Sequence, residues 1–119
     1  MLAAARGAFL LATTDVGGSA LYAATSPSGP WRSVASPKSD QVVSFVAAAD
    51  TAAGVLLAGI DALDRPRYWL EGARGWRETS VPGGLVSSSH VVGFARTTEA
   101  LVAAGSDAAG SFVEEVTAA

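Results

Sequence analysis

The sequence contains no cysteine, one histidine and one methionine, and only 16% of its 119 residues are charged. Without thiols there is no disulfide framework and no thiolate metal site, and cysteine usage leaves the redox compartment open. With one imidazole, any histidine base has to be His90, which no second histidine or fixed acid spacing accompanies. Eight basic residues are scattered singly among eleven acidic ones, for a net charge of −3, so no stripe exists to track a phosphate backbone. Nucleic acid is therefore not an expected partner. No apolar run reaches the roughly 18–20 residues of a membrane-crossing helix, and a soluble chain without a membrane partner is expected. No segment shows a helical stripe over eleven or more residues. What is abundant is small and apolar: half of the residues are hydrophobic, enough to bury a core and well above the composition of disordered chains.

The apolar residues repeat. Leu10 to Asp15, Leu56 to Asp61 and Val102 to Asp107 are near-copies that end in an aspartate every 46 residues. Trp31-Arg32 returns as Trp76-Arg77, and Pro37 as Pro82, each after 45. Val42 to Phe45 is expected to return as Val91 to Phe94 after 49, with Thr51, Ala52 and Ala53 lengthening one turn. Laying Asp15 on Asp107 sets Leu2 over Phe94 and Phe9 over Leu101, so Met1 to Thr14 reads as part of a repeat rather than as a signal peptide.

Within the middle repeat, four short apolar runs predict strands at 42–48, 55–60, 67–71 and 76–81. The turns between them are rich in Asp, Gly and Pro. The first repeat predicts strands at 1–5, 9–13, 21–25 and 31–35, and the third at 91–97, 101–105 and 111–116. That is eleven strands, all antiparallel, with the third repeat lacking its last. A four-stranded meander every 40–50 residues is the habit of a β-propeller blade. The expected fold is therefore all-β, one unit over 1–119, with blades at about 1–37, 42–82 and 91–119.

Thr25-Ser26-Pro27-Ser28-Gly29-Pro30-Trp31 lies in the turn before the fourth strand, where Asp-box (BNR) repeats carry Ser-x-Asp-x-Gly-x-Thr-Trp. The chain resembles a sialidase-like propeller of this type, although Glu71 to Trp76 keeps only the tryptophan and the third repeat has no match. The resemblance implies radial blades. It also implies, in catalytic members, an arginine triad, a tyrosine nucleophile with a glutamate, and an acid aspartate. This chain has Arg6, Arg32, Arg65, Arg67, Arg74, Arg77 and Arg96 to draw on, and Arg32 and Arg77 follow the periodic tryptophans.

Open arcs of blades expose flat faces and strand edges. A homodimer closing a six-bladed ring is the expected remedy, the competing reading being a piece of a longer chain. Asp15, Asp61 and Asp107 are expected to fix the turns after the second strands, and Trp31 and Trp76 to pack between blades. Successive residues of a strand face opposite ways, so one of Tyr68 and Trp69 is expected on the outer surface, in a sugar-stacking or interface role. The candidate ligand face joins Asp61, Asp64, Arg65 and Arg67 to Lys38, Asp40, Ser87 to Ser89 and His90, the last expected as a solvated loop residue. Asp61 and Asp64 alone do not make a calcium loop. Ser87 to Ser89 lack a nucleophile elbow. No catalytic residue, metal ligand or cofactor is assigned. The function expected is a non-catalytic propeller that self-assembles and binds protein or glycan. The alternative is a fragment or subunit of a sialidase-like glycoside hydrolase.

Overall fold

The computed structural model describes residues 1–5 and 7–117 and contains no helix among them. Arg6 lies outside the described residues. The eleven strands are β1 (Leu2–Ala5), β2 (Ala8–Asp15), β3 (Gly18–Ala24), β4 (Arg32–Val34), β5 (Val43–Thr51), β6 (Gly54–Asp61), β7 (Pro66–Gly72), β8 (Gly75–Thr79), β9 (His90–Arg96), β10 (Leu101–Asp107) and β11 (Gly110–Val116). They form three antiparallel sheets in chain order, of four, four and three strands, each a meander. The expected strands are all present, with ends displaced by at most three residues. The largest differences are at β5, which runs on to Thr51, and at β3, which already begins at Gly18.

The expected 49-residue offset of the first strands is not what forms. Phe45 pairs with Gly59 and Val91 with Gly105, so the first strands keep the same 46-residue offset as the second strands. Val46 and Val92 both fall at a register break, so the bulge repeats as well. The apparent match of Val42-Val43 to Val91-Val92 compared like residues on different levels of the sheet. An extra residue does exist, but in the β6–β7 turn. Asp61 N–H donates to the Arg65 carbonyl across Ala62, Leu63 and Asp64, with Asp64 at φ +61°, the three-residue hairpin that ends in a left-handed residue. The β2–β3 and β10–β11 turns are two-residue loops.

Each sheet has a leading face, turned toward the next sheet along the chain, and a trailing face. Leu10, Ala12 and Leu21 on the leading face of the first sheet pack against Phe45, Ala48, Val55, Leu57 and Trp69 on the trailing face of the second. Ala47, Ala49, Leu56, Ala58, Tyr68 and Leu70 on its leading face pack against Val91, Leu101, Ala103 and Val116 of the third. The second sheet is thus buried on both sides, which explains its near-continuous apolar strands. The sheets come together along their first strands: β5 lies against both β1 and β9. A cleft of about 690 Å3 runs between β1, β5 and β9, walled largely by alanine and by Gly93.

Tyr68 and Trp69 correct the expectation that one of them faces outward. They do point in opposite directions, yet they are 2% and 1% exposed, because both directions lead into a core. Trp31 and Trp76 differ from expectation in the other sense, each being only half-buried. Trp76 packs at the margin of the first core, and its Nε1–H donates to the Ala35 carbonyl (2.9 Å), tying the second sheet to the first. Trp31 belongs to neither core. The fourth strands are the last of their meanders, farthest from the convergence of the first strands, and Trp76 on β8 covers the first joint only from the side.

Candidate functional site

The three repeated aspartates each accept a backbone N–H two residues on: Asp15 from Gly17 (2.7 Å), Asp61 from Leu63 (2.9 Å) and Asp107 from Ala109 (2.8 Å). The turn is a local device, because a short carboxylate can satisfy a loop amide that no strand reaches. Only Asp61 goes further. It is 5% exposed. One carboxylate oxygen also accepts from the Arg65 N–H (3.0 Å), while the other takes Arg65 Nε (2.8 Å) and Arg67 Nη1 (3.1 Å). Burial pushes this carboxyl up, but the bonds from Arg65, Arg67 and Leu63 outweigh it and hold the group at about 2, from an ordinary 3.8. Asp61 is an anion with its oxygens already occupied.

Arg67 draws three segments together. Its guanidinium donates to Asp61, to Asp40 on the β4–β5 loop (3.2 Å) and to Glu78 on β8, and it lies 5.9 Å above the centre of the Trp69 ring. Trp69 in turn stands edge-on to Phe45, with ring centres 5.7 Å apart. The hydrogen bond to Glu78, together with those to Asp61 and Asp40, raises the Arg67 pKa against the opposing effect of burial. Glu78 is the member of this group that sequence reasoning missed. The signal was present: the Gly72–Gly75 turn sets Trp69 opposite Glu78, which places Arg67 diagonally across on the same face.

His90 does not lie in a loop. It opens β9, half-buried, with Nδ1 2.9 Å from the Ser88 carbonyl and Nε2 3.2 Å from the Asp64 carbonyl, the Asp64 carboxylate lying 3.6 Å away. The Ser88 carbonyl and the Asp64 groups raise its pKa, more than burial lowers it. An imidazole facing a carbonyl at each nitrogen can serve both only by donating from both, as the imidazolium. Ser89 is buried: its hydroxyl accepts from Val86 N–H (2.9 Å), and its carbonyl accepts the Tyr68 hydroxyl (3.2 Å). Burial raises the Tyr68 pKa.

The structure therefore brings Asp61, Asp64, Arg65, Arg67, Asp40 and His90 to one rim, as two linked groups: Arg67 with its carboxylates, and the His90–Asp64 contact. Ser89 turns inward. Beside Arg67, a shallow depression of about 350 Å3 is lined by Lys38, Ser39, Asp40, Arg67 and Glu78. Chemically, the rim offers a balanced set of charges and exposed carboxylates at Asp40 and Asp64. No protein-family model, curated protein or solved structure matches this chain.

Proposed function

We propose that the chain is a non-catalytic β-propeller module whose three sheets are blades, which self-assembles and binds a protein or glycan at the rim built by the β6–β7 turn. The observation that carries this reading is the convergence of β1, β5 and β9 around an alanine-lined cleft, while the later strands of each sheet lie farther out. Radial sheets meet along their innermost strands, and small side chains suit a crowded axis. Arg67 supports the non-catalytic side of the reading. A substrate-binding arginine keeps its guanidinium edge open for a carboxylate, whereas this one already serves Asp40, Asp61 and Glu78. The exposed carboxylates of Asp40 and Asp64 are suited to accept sugar hydroxyls or peptide donors. Light scattering coupled to size exclusion tests the assembly: a mass of two chains is expected, and a folded monomer at tens of micromolar would overturn it.

A further inference from the structure

The two joints inside the molecule show twice what covers each kind of face, and one face of each kind is left over. On the trailing side of the first sheet stand Leu2, Phe9, Leu11 and Tyr22. Strand pairing makes these the equivalents of Ala48, Val55, Leu57 and Trp69, every one of which packs in the first core. On the leading side of the third sheet stand Gly93, Ala95, Val102, Ala104 and Val113. These are the equivalents of Ala47, Ala49, Leu56, Ala58 and Tyr68, all within the second core. Val113 is 73% exposed where Tyr68 is 2% exposed, and Leu2 is 60% exposed. A side chain added at Gly93 would meet nothing within 4 Å. Both surfaces are built to be covered.

We infer that the leading face of the third sheet docks on the trailing face of the first sheet of a second copy, and that two such joints, related by a two-fold axis, close the pair. The inference rests on the ring reading above and adds the polarity of the contact and the residues that make it. In the second internal joint the leading face supplies an aromatic, Tyr68, against Val91, Leu101, Ala103 and Val116; in the first, the small and aliphatic Leu10, Ala12 and Leu21 of the leading face meet the larger Leu57 and Trp69 of the trailing face. The unpaired faces offer the match of the first joint: Val102, Ala104 and Val113 against Leu11, Phe9 and Tyr22. Glu115, which stands where Leu70 does, puts a charge on this leading face. At the corresponding level of the first joint, around Ala23, the wall already carries Arg32 and Glu71 beside a cleft of about 340 Å3, so the joint accommodates polar groups there. A contact between two different patches generally runs on into filaments unless its rotation closes, and three sheets from each copy bring the ring to six.

The test is the mass of Val113→Arg and Leu11→Arg, alone and mixed, measured by analytical ultracentrifugation, with circular dichroism to check folding. Each variant alone has one disabled face at both joints, so its dimer dissociation constant should rise about 100-fold or more. The equimolar mixture keeps one intact joint and should recover dimer at concentrations where neither variant does. Val16→Arg, in the fully exposed β2–β3 turn, should leave the mass unchanged. If Val113→Arg fails to fold, Val102→Arg replaces it, and Tyr22→Arg replaces Leu11→Arg. A wild-type dimer that both variants leave intact overturns the joint while sparing the ring. Loss of dimer by only one variant points to like faces meeting and overturns the head-to-tail polarity. A wild-type monomer, or a mass above two chains, overturns the two-copy closure itself.

Discussion

The middle repeat and its two flanking repeats have nearly the same backbone and very different chemistry. Asp15, Asp61 and Asp107 make the same two-residue turn bond, yet only Asp61 is enclosed and gripped by two arginines. Leu57 and Trp69 vanish into a core, whereas their equivalents Leu11 and Tyr22 remain half-exposed. The repeat sets where a side chain points, and the neighbouring sheet sets what it meets. Trp69→Ala and Tyr22→Ala should separate the two environments by the widest margin. Trp69→Ala should cost about 3–5 kcal/mol in urea unfolding, because a packed indole is replaced by a cavity in a joint. Tyr22→Ala, measured at protein concentrations too low for association, should cost under about 2 kcal/mol. Equal costs would mean that Tyr22 is already covered within one chain.

This division also separates what was legible in the sequence from what was not. Hairpin turns and period-two alternation are local, and they were enough to place eleven strands and the turn aspartates. The surroundings of Tyr68 and Trp69 were not local. Alternation gives two directions, and only the stacking of a third sheet makes both of them interior. The 49-residue offset failed for a related reason, since matching letters carry no register, while the repeated bulge at Val46 and Val92 fixes it through backbone pairing. At the rim, the residue types were readable, but Arg67's partners come from a loop, a turn and a fourth strand. Their common meeting point exists only after folding.

A smaller effect separates Asp61 from Asp107. Asp107→Asn keeps the oxygen that accepts Ala109 N–H, so its effect should stay within about 0.5 kcal/mol. Asp61→Asn removes the anion between Arg65 and Arg67 and should destabilise several-fold more. Because the folded carboxyl is held at about 2 against an ordinary 3.8, its contribution is complete above about pH 4 and drains away as pH falls toward 2. Acid titration of unfolding free energy should therefore show a steep limb in that window for the wild type and for Asp107→Asn, and a flatter one for Asp61→Asn. Parallel limbs in all three would mean that the arginines do not stabilise the turn.

The smallest effect concerns His90, which links the second sheet to the third and stands where the middle repeat has Ser44. Its folded pKa is raised, so protonation favours the folded state. That stability is fully present below the ordinary value of 6.5 and disappears as pH rises through the higher folded value. The ring is one-third exposed and the Asp64 carboxylate beside it is largely in water, so screening holds the gain to about 1 kcal/mol or less. Two carbonyls and one carboxylate face the imidazolium, so deprotonation must leave one ring nitrogen set against a carbonyl lone pair. Nitrogen-detected NMR of the imidazole should show both nitrogens protonated at pH 6. His90→Gln should remove the decline in stability above pH 6.5 without altering the acid limb that belongs to Asp61. A ring that is neutral at pH 6 would show that the two carbonyls do not set its charge and that the joint between these sheets holds by packing alone.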